Sequence, residues 1–160
     1  MSTGWVAKVV CLLALTGLAA CGSAPPKPVT TKLAIAAAAD INPDSDGRAS
    51  PVVLRVYQLR TDAEFTGAQF FALYDNEKGA LAASLVARDE FTVLPGQDDQ
   101  RVYPIAPDTR FLGVLAAFRD PAAQWRTLAP VPVKRVKNIV KDQHMTIHLQ
   151  KTSVSLNTNE

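Results

Sequence analysis

Apolar residues recur at every second position in several short stretches of this chain, and runs rich in Gly, Pro, Asn and Asp separate them, which predicts a mainly β protein. Residues 31–39 carry Leu33, Ile35, Ala37 and Ala39 on one side of a first strand, although the alanine run would also suit a helix. Val52, Leu54 and Val56 set the inward face of a second strand over 52–59. From Arg88 the alternation returns with Phe91 and Val93; Pro95-Gly96 turns the chain, and Val102, Pro104 and Ala106 line the next strand. Pro104 removes a backbone donor there and predicts a free edge.

Residues 111–118 read Phe-Leu-Gly-Val-Leu-Ala-Ala-Phe, apolar at both parities. Such a strand is covered on both faces, and the expected covers are the other sheet and a helix over residues 65–74. Past a turn at Asp120-Pro121, Trp125, Thr127, Ala129 and Val131 form a strand that Pro130 and Pro132 push to an edge. The last strand sets Met145, Ile147 and Leu149 against His144, Thr146, His148 and Gln150, and residues 152–160 read as a loose polar tail.

Helical spacing appears once. Thr61-Asp62-Ala63-Glu64 and Thr66-Gly67-Ala68-Gln69 are two capping-box sequences ahead of an apolar cluster of Phe65, Phe70, Phe71, Leu73 and Tyr74. They predict one helix with two candidate starts, ending near Asp75, and a second short helix over 80–87. Phenylalanines at this spacing are far more often core than a ligand box.

The amino terminus departs from all of this. Lys8 precedes an apolar run from Val9 through Ala20 that Thr16 and Gly17 interrupt, too short to span a bilayer and right for the h-region of a secretory signal. The run ends Leu18-Ala19-Ala20-Cys21, which resembles a bacterial lipobox. In such signals the bond before the cysteine is cut and the cysteine is lipidated; the competing reading is an ordinary signal with a chance cysteine. Residues 1–20 are thus expected to be a lipoprotein signal, Cys21 the lipidation site, and residues 21–30, with Pro25, Pro26 and Pro28, an extended tether of roughly 3 Å per residue. Several acyl chains on one residue give stable anchoring. Gly22, where sorted lipoproteins retained in the inner membrane carry Asp, favours the outer membrane. One domain is expected over 31–151.

Composition narrows the function. The chain has 17 Lys and Arg against 15 Asp and Glu, and Lys8 is lost with the signal, so no basic excess suits a nucleic-acid binder. Its two cysteines are Cys11, in the signal, and Cys21, leaving no disulfide to form. The only two histidines, His144 and His148, stand about 13 Å apart on a strand, too far to share a metal. There is no G-x-S-x-G, and the pairs Asp89-Glu90 and Asp98-Asp99 suit solubility better than catalysis. No cofactor and no catalytic residue is expected. Lys134, Arg135, Lys137 and Lys141 form a basic group that suits a solvated loop better than a lipid-phosphate site.

The loop from Asn42 to Pro51 is the segment richest in turn formers. Asn42, Asp44, Asp46 and Gly47 match early positions of a calcium-binding EF loop, but Val53 stands where the bidentate Glu belongs and no amphipathic helix flanks it. A plain solvated loop is the better reading, and Asn42, Asp44, Asp46, Gly47 and Arg48 become candidate contacts for a protein partner.

The order of lipobox, Asn42-Pro43-Asp44, the stretch Pro51-Val52-Val53-Leu54-Arg55-Val56-Tyr57-Gln58-Leu59, Phe65, Phe70-Phe71-Ala72-Leu73, Leu94-Pro95-Gly96, residues 111–119 and Trp125-Arg126 resembles the type VI secretion lipoprotein family called TssJ or SciN. The resemblance covers nearly the whole mature chain. It implies a transthyretin-like antiparallel β-sandwich with a small helical insertion, held at the periplasmic face of the outer membrane. It further implies a structural role: gripping the periplasmic C-terminal region of TssM, and so fastening a complex of TssJ, TssL and TssM to that membrane through the loop between the first two strands, here residues 42–51. A lipid-anchored carbohydrate or small-ligand binding module is the alternative from a different class, and an aromatic platform or deep apolar pocket would favour it.

Overall fold

Period-two alternation sets one apolar row of each strand toward an opposing sheet, and two four-stranded sheets stack face to face as a result. The computed structural model describes residues 29–131, 135–136, 139–140 and 144–159. The strands are β1 (Val29–Ala37), β2 (Val52–Leu59), β3 (Leu85–Val93), β4 (Asp98–Ile105), β5 (Phe111–Ala117), β6 (Arg126–Pro130), β7 (Arg135–Val136), β8 (Ile139–Val140), β9 (His144–Gln150) and β10 (Ser153–Asn159). The first sheet is ordered β10-β9-β1-β4, the second β3-β2-β5-β6, and β7 with β8 makes a short ribbon.

Between the sheets lie Leu33 and Ile35 of β1, Val52, Leu54 and Val56 of β2, Leu112, Val114 and Ala116 of β5, and Met145, Ile147 and Leu149 of β9, all fully buried. Each large side chain so buried contributes about 1.5–3 kcal/mol, against the chain entropy lost on folding. The inward rows expected for β1, β2 and β9 are therefore the observed ones, except that Ala39 lies beyond β1 and is exposed.

The outer face of the second sheet is covered by three short helices, α1 (Ala63–Gly67), α2 (Phe70–Asp75) and α3 (Glu77–Leu81), followed by a 3-10 turn over Ala82–Ser84. Tyr57, Leu59 and Leu115 on the sheet meet Phe65, Leu73 and Leu81 on the helices in a second fully buried cluster. Residues 112–116 of β5 are consequently buried at both parities, with the other sheet on one side and the helices on the other, as its unbroken apolar run predicts. Arginines tie the helices down: Arg126 Nη1 donates to the carbonyls of Phe65 and Ala68 at 3.1 and 2.6 Å, and Arg55 Nη1 donates to that of Tyr74 at 2.6 Å. These carbonyls end α1 and α2, where a cation satisfies orphaned acceptors.

Several expectations need correction. One helix over 65–75 is two, α1 and α2, broken at Ala68–Gln69, and the second short helix falls at Glu77–Leu81 rather than 80–87, because β3 already begins at Leu85. Neither Thr caps a helix: Asp62 and Gln69 hold the N-cap positions without side-chain caps, and Thr61 Oγ1 instead donates to Glu64 Oε2 at 2.8 Å. The side-chain cap among the three helices is Asn76, whose Oδ1 accepts from Gly79 N–H at 3.3 Å. In β4 the inward face is Tyr103 and Ile105; Val102 and Pro104 point to solvent and Ala106 lies past the strand. Both parities there hold apolar groups, and burial goes to the aromatic and the isoleucine, while Pro104 does sit on an edge strand. Trp125 precedes β6, which is the expected edge of its sheet.

Two larger differences concern the first sheet. The sandwich is not wholly antiparallel: β1 and β9 run parallel, Leu33 beside Met145 and Ile35 beside Ile147. Parallel neighbours need a long connection, and β2 to β8 supply it. Residues 153–159 are no loose tail but the edge strand β10, antiparallel to β9, with Val154 and Leu156 buried. Val154 and Leu156 alternate with Ser153, Ser155 and Asn157, a half-buried strand pattern that a mostly polar composition hides.

Strand directions fix two ends. Val29 opens β1 opposite Ile105, and at the far end of the same strand Ala36 stands opposite Asp98. Following the registers, the connections 38–51, 94–97, 118–124 and 151–152 gather at the end where β1 finishes. Residue 29, the turn 106–110 and the start of β9 lie at the other.

Candidate functional site

The loop from Asn42 to Pro51 is held at its base and closed on itself at its tip. Asn42 N–H donates to the Lys151 carbonyl at 2.8 Å and Ser50 N–H to the Ile41 carbonyl at 3.1 Å, so the loop leaves the sandwich between β1 and the β9–β10 turn. Asn42 takes φ 48°, a left-handed conformation that Asn tolerates better than most residues. Its side chain is buried and spent internally: Nδ2 donates to the Pro51 carbonyl and Oδ1 accepts from Arg119 N–H, each at 2.7 Å. Asn42 therefore shapes the loop and offers no surface to a partner, unlike the expected contact residue.

At the tip, Asp44 Oδ1 accepts the N–H groups of Asp46 and Arg48, both at 2.9 Å, and Asp44 Oδ2 meets Arg48 Nε at 2.9 Å. Arg48 Nη2 reaches Asp46 Oδ2 at 3.0 Å, and Gly47 supplies the positive φ, 77°, that closes the turn. The Arg48 N–H above all, together with its guanidinium, holds the Asp44 carboxyl below the ordinary carboxylate range. This is a carboxylate receiving donors, the reverse of a calcium cage, which needs free oxygens converging on one point. Asp46, Gly47 and Arg48 are exposed and Asp44 half-buried, so these four stand together at the tip.

Next to this loop, Phe118, Arg119, Asp120 and Pro121 follow β5, and with Phe70 and Phe71 of α2 and Trp125 they line a cleft of about 200 Å³. Phe70 packs edge-on to Phe71 and to Trp125, with ring centres 5.2 and 5.3 Å apart, and stacks on Tyr74 at 5.4 Å. Phe71 itself is 71% exposed. Helical spacing of phenylalanines pointed to core here, and Phe65 and Leu73 are core; Phe71 is the exception, and no periodicity in the sequence distinguishes it.

Other candidate chemistry is dispersed. His144 and His148 lie half-buried on the outer face of the first sheet, and no group of three His, Cys, Asp or Glu among the described residues could hold a metal ion. Asp89 accepts from Tyr103 Oη at 2.5 Å, an inter-sheet bond; burial, then the carboxylate, pushes that phenol far above its usual range. Glu90 bonds Arg55 Nε and Arg88 Nη1, each at 2.8 Å, and Asp99 pairs with Arg101. Both acidic pairs are thus committed at least in part to ion pairs that shape the surface. Cys21, residues 22–28 of the expected tether and the lysines at 134, 137 and 141 lie outside the described residues; residues 29 and 30, expected as its end, already belong to β1, and no described helix is long and apolar enough to cross a membrane.

Comparison with known proteins agrees with this geometry. Residues 29–152 match the profile of the family described as type VI secretion lipoprotein, VasD, EvfM, TssJ, VC_A0113. The crystal structure of the T6SS lipoprotein TssJ1 from Pseudomonas aeruginosa is 34% identical over 83% of this chain and 98% of that one, with a TM-score of 0.74. A chain in a structure described as the type VI membrane complex is 25% identical, covering 80% of this chain and 97% of that one, with a TM-score of 0.68. A chain in a structure described as the TssM C-terminal domain from EAEC shares the fold at 24% identity, 80% and 97% coverage and a TM-score of 0.65. Among curated proteins none matches. With the profile spanning all but the ends and the sandwich shared, the chain belongs to the TssJ (SciN) family of type VI secretion lipoproteins, non-enzymatic structural components of the type VI membrane complex.

Proposed function

We propose that the mature protein is acylated at Cys21, sits at the periplasmic face of the outer membrane, and grips the periplasmic C-terminal region of TssM with the end of the sandwich that carries residues 42–51. In this role it fastens the complex of TssJ, TssL and TssM to the outer membrane. The observation that carries the proposal is the direction of β1: the strand starts at the residue nearest the tether and ends at the loop. Nine extended residues span about 30 Å, so the point where the tether would join the sandwich and the loop stand at opposite ends of a rigid body. A protein without a catalytic constellation, anchored at one end and presenting fixed loops at the other, is equipped to connect. Asp44, Asp46, Gly47 and Arg48 are the polar contacts of this reading; Asn42 holds them in position.

The test is capture of the TssM periplasmic C-terminal region from the same secretion system by the full-length lipoprotein in detergent. Replacing residues 42–51 by a short glycine loop abolishes capture in this reading. Undiminished capture by that variant would move the interface elsewhere, and no capture by the unaltered protein would reject the TssM assignment.

A further inference from the structure

The loop tip lacks what the centre of a protein interface needs. Its one cation is already engaged, Arg48 pairing with both Asp44 and Asp46, and it exposes no large apolar group. Binding energy at interfaces concentrates in apolar, often aromatic, pockets that a polar rim surrounds. Such a pocket adjoins the loop directly. Phe118 and Arg119 follow β5 at the same end of the sandwich, Asn42 Oδ1 accepts from Arg119 N–H, and the cleft walled by Phe70, Phe71, Phe118, Pro121 and Trp125 opens there. Loop and cleft are one continuous surface.

Charge narrows the occupant. Arg119 lines the cleft, is exposed, and makes no ion pair among the described residues, although its field helps to lower the Asp44 pKa. The neighbouring Asp120 also lines the cleft and keeps its charge, but its Oδ1 accepts from Ala122 N–H at 2.8 Å and it makes no ion pair with Arg119 among the described residues. At about 200 Å³ the cleft is smaller than the roughly 300–1,000 Å³ typical of small-molecule sites, which suits one inserted side chain better than a soluble ligand.

We propose that this cleft receives an aromatic or long aliphatic side chain of the protein partner, with an acidic partner residue set against Arg119, and forms the apolar centre of an interface whose polar rim is the 42–51 loop. This rests on the partner reading above. Phe71 is the anchor wall: already largely in water, it contributes little to folding and gains most from being covered.

The test measures affinity between the full-length lipoprotein in detergent and the TssM periplasmic C-terminal region. Phe71→Ala and Arg119→Glu each weaken binding about tenfold or more with unchanged thermal melting, whereas Val102→Ala, which trims an exposed apolar residue on the outer face of β4, stays within about twofold. If Phe71→Ala and Arg119→Glu also stay within about twofold while the glycine-loop variant loses binding, the cleft is not part of the interface and the partner reading stands. If the unaltered protein does not bind, both fall. Phe71-dependent self-association, or saturable binding of a soluble sugar in the cleft, would assign it another occupant and overturn the proposal.

Discussion

The side-chain oxygen of Asn42 accepts the backbone N–H of Arg119 at 2.7 Å, joining residues 77 positions apart in sequence. The same side chain donates to the Pro51 carbonyl, so one amide fixes both ends of the 42–51 loop and ties it to the turn after β5. Asn42→Ala removes two internal bonds and sets a Cβ-bearing residue without local hydrogen bonding at φ 48°; it costs about 2–3 kcal/mol in chemical denaturation. Asn42→Gly loses the bonds but relieves the backbone, and costs about 1 kcal/mol less. Equal losses in the two variants would mean that φ contributes nothing.

Gly113 leaves room for Phe65. A Cβ on Gly113 would come 2.9 Å from Phe65 Cζ, and that ring is fully buried against β5, so it has no free space to swing into. Gly113→Ala is expected to destabilise by about 1–3 kcal/mol through overpacking, and Phe65→Leu in the same chain to recover part of that loss. Additive effects in the double variant would contradict the contact.

The carboxy-terminal strand is structural. Deleting residues 153–160 uncovers the edge of β9 and removes Val154 and Leu156 from the core, and it is expected to abolish cooperative unfolding. The milder Leu156→Ala costs about 2 kcal/mol. A truncated protein that melts like the intact one would contradict the assignment of β10.

Asp44 titrates below its ordinary value near 3.8, because the Arg48 N–H, then the Arg48 guanidinium and Asp46 N–H, favour the carboxylate over the opposing effect of desolvation. A carboxylate depressed in the folded state stabilises it fully above the unfolded pKa, and the contribution is lost as pH falls through the folded value. This contribution is therefore complete at neutral pH and declines only below the ordinary carboxylate range. NMR of the side-chain carboxyl measures this directly, and Arg48→Ala moves the midpoint upward. A midpoint at or above the ordinary value in the unaltered protein would contradict the geometry.

Much of this was legible in the chain. Alternation gave the inward faces of β1, β2 and β9, and the unbroken apolar run of β5 announced a strand covered on both sides. The misses have specific causes. In β4 both parities carry apolar groups, so periodicity could not choose between Val102 with Pro104 and Tyr103 with Ile105. In β10 two buried aliphatics among serines, threonines and asparagines read as a tail, because pairing with β9 is a tertiary fact. Capping boxes misplaced the helix starts, since Thr61 bonds the Glu64 carboxylate instead of a helix N–H, while Arg55 and Arg126, distant in sequence, satisfy the carbonyls at the opposite ends. The loop 42–51 stood out by its turn residues, but composition cannot tell inward Asn42 from outward Asp46. The aromatic cleft joins residues 70, 71, 118 and 125, and only the fold brings them together.

The account stands on opposed ends, a lipid at one and a partner at the other, and site-specific photo-crosslinking in intact membranes tests that most directly. A photoreactive residue at exposed Asp46, in the loop, is predicted to crosslink to the periplasmic region of TssM, whereas one at exposed Asp108, in the turn at the tethered end, is predicted not to. Crosslinking from position 108 with none from position 46 would contradict it.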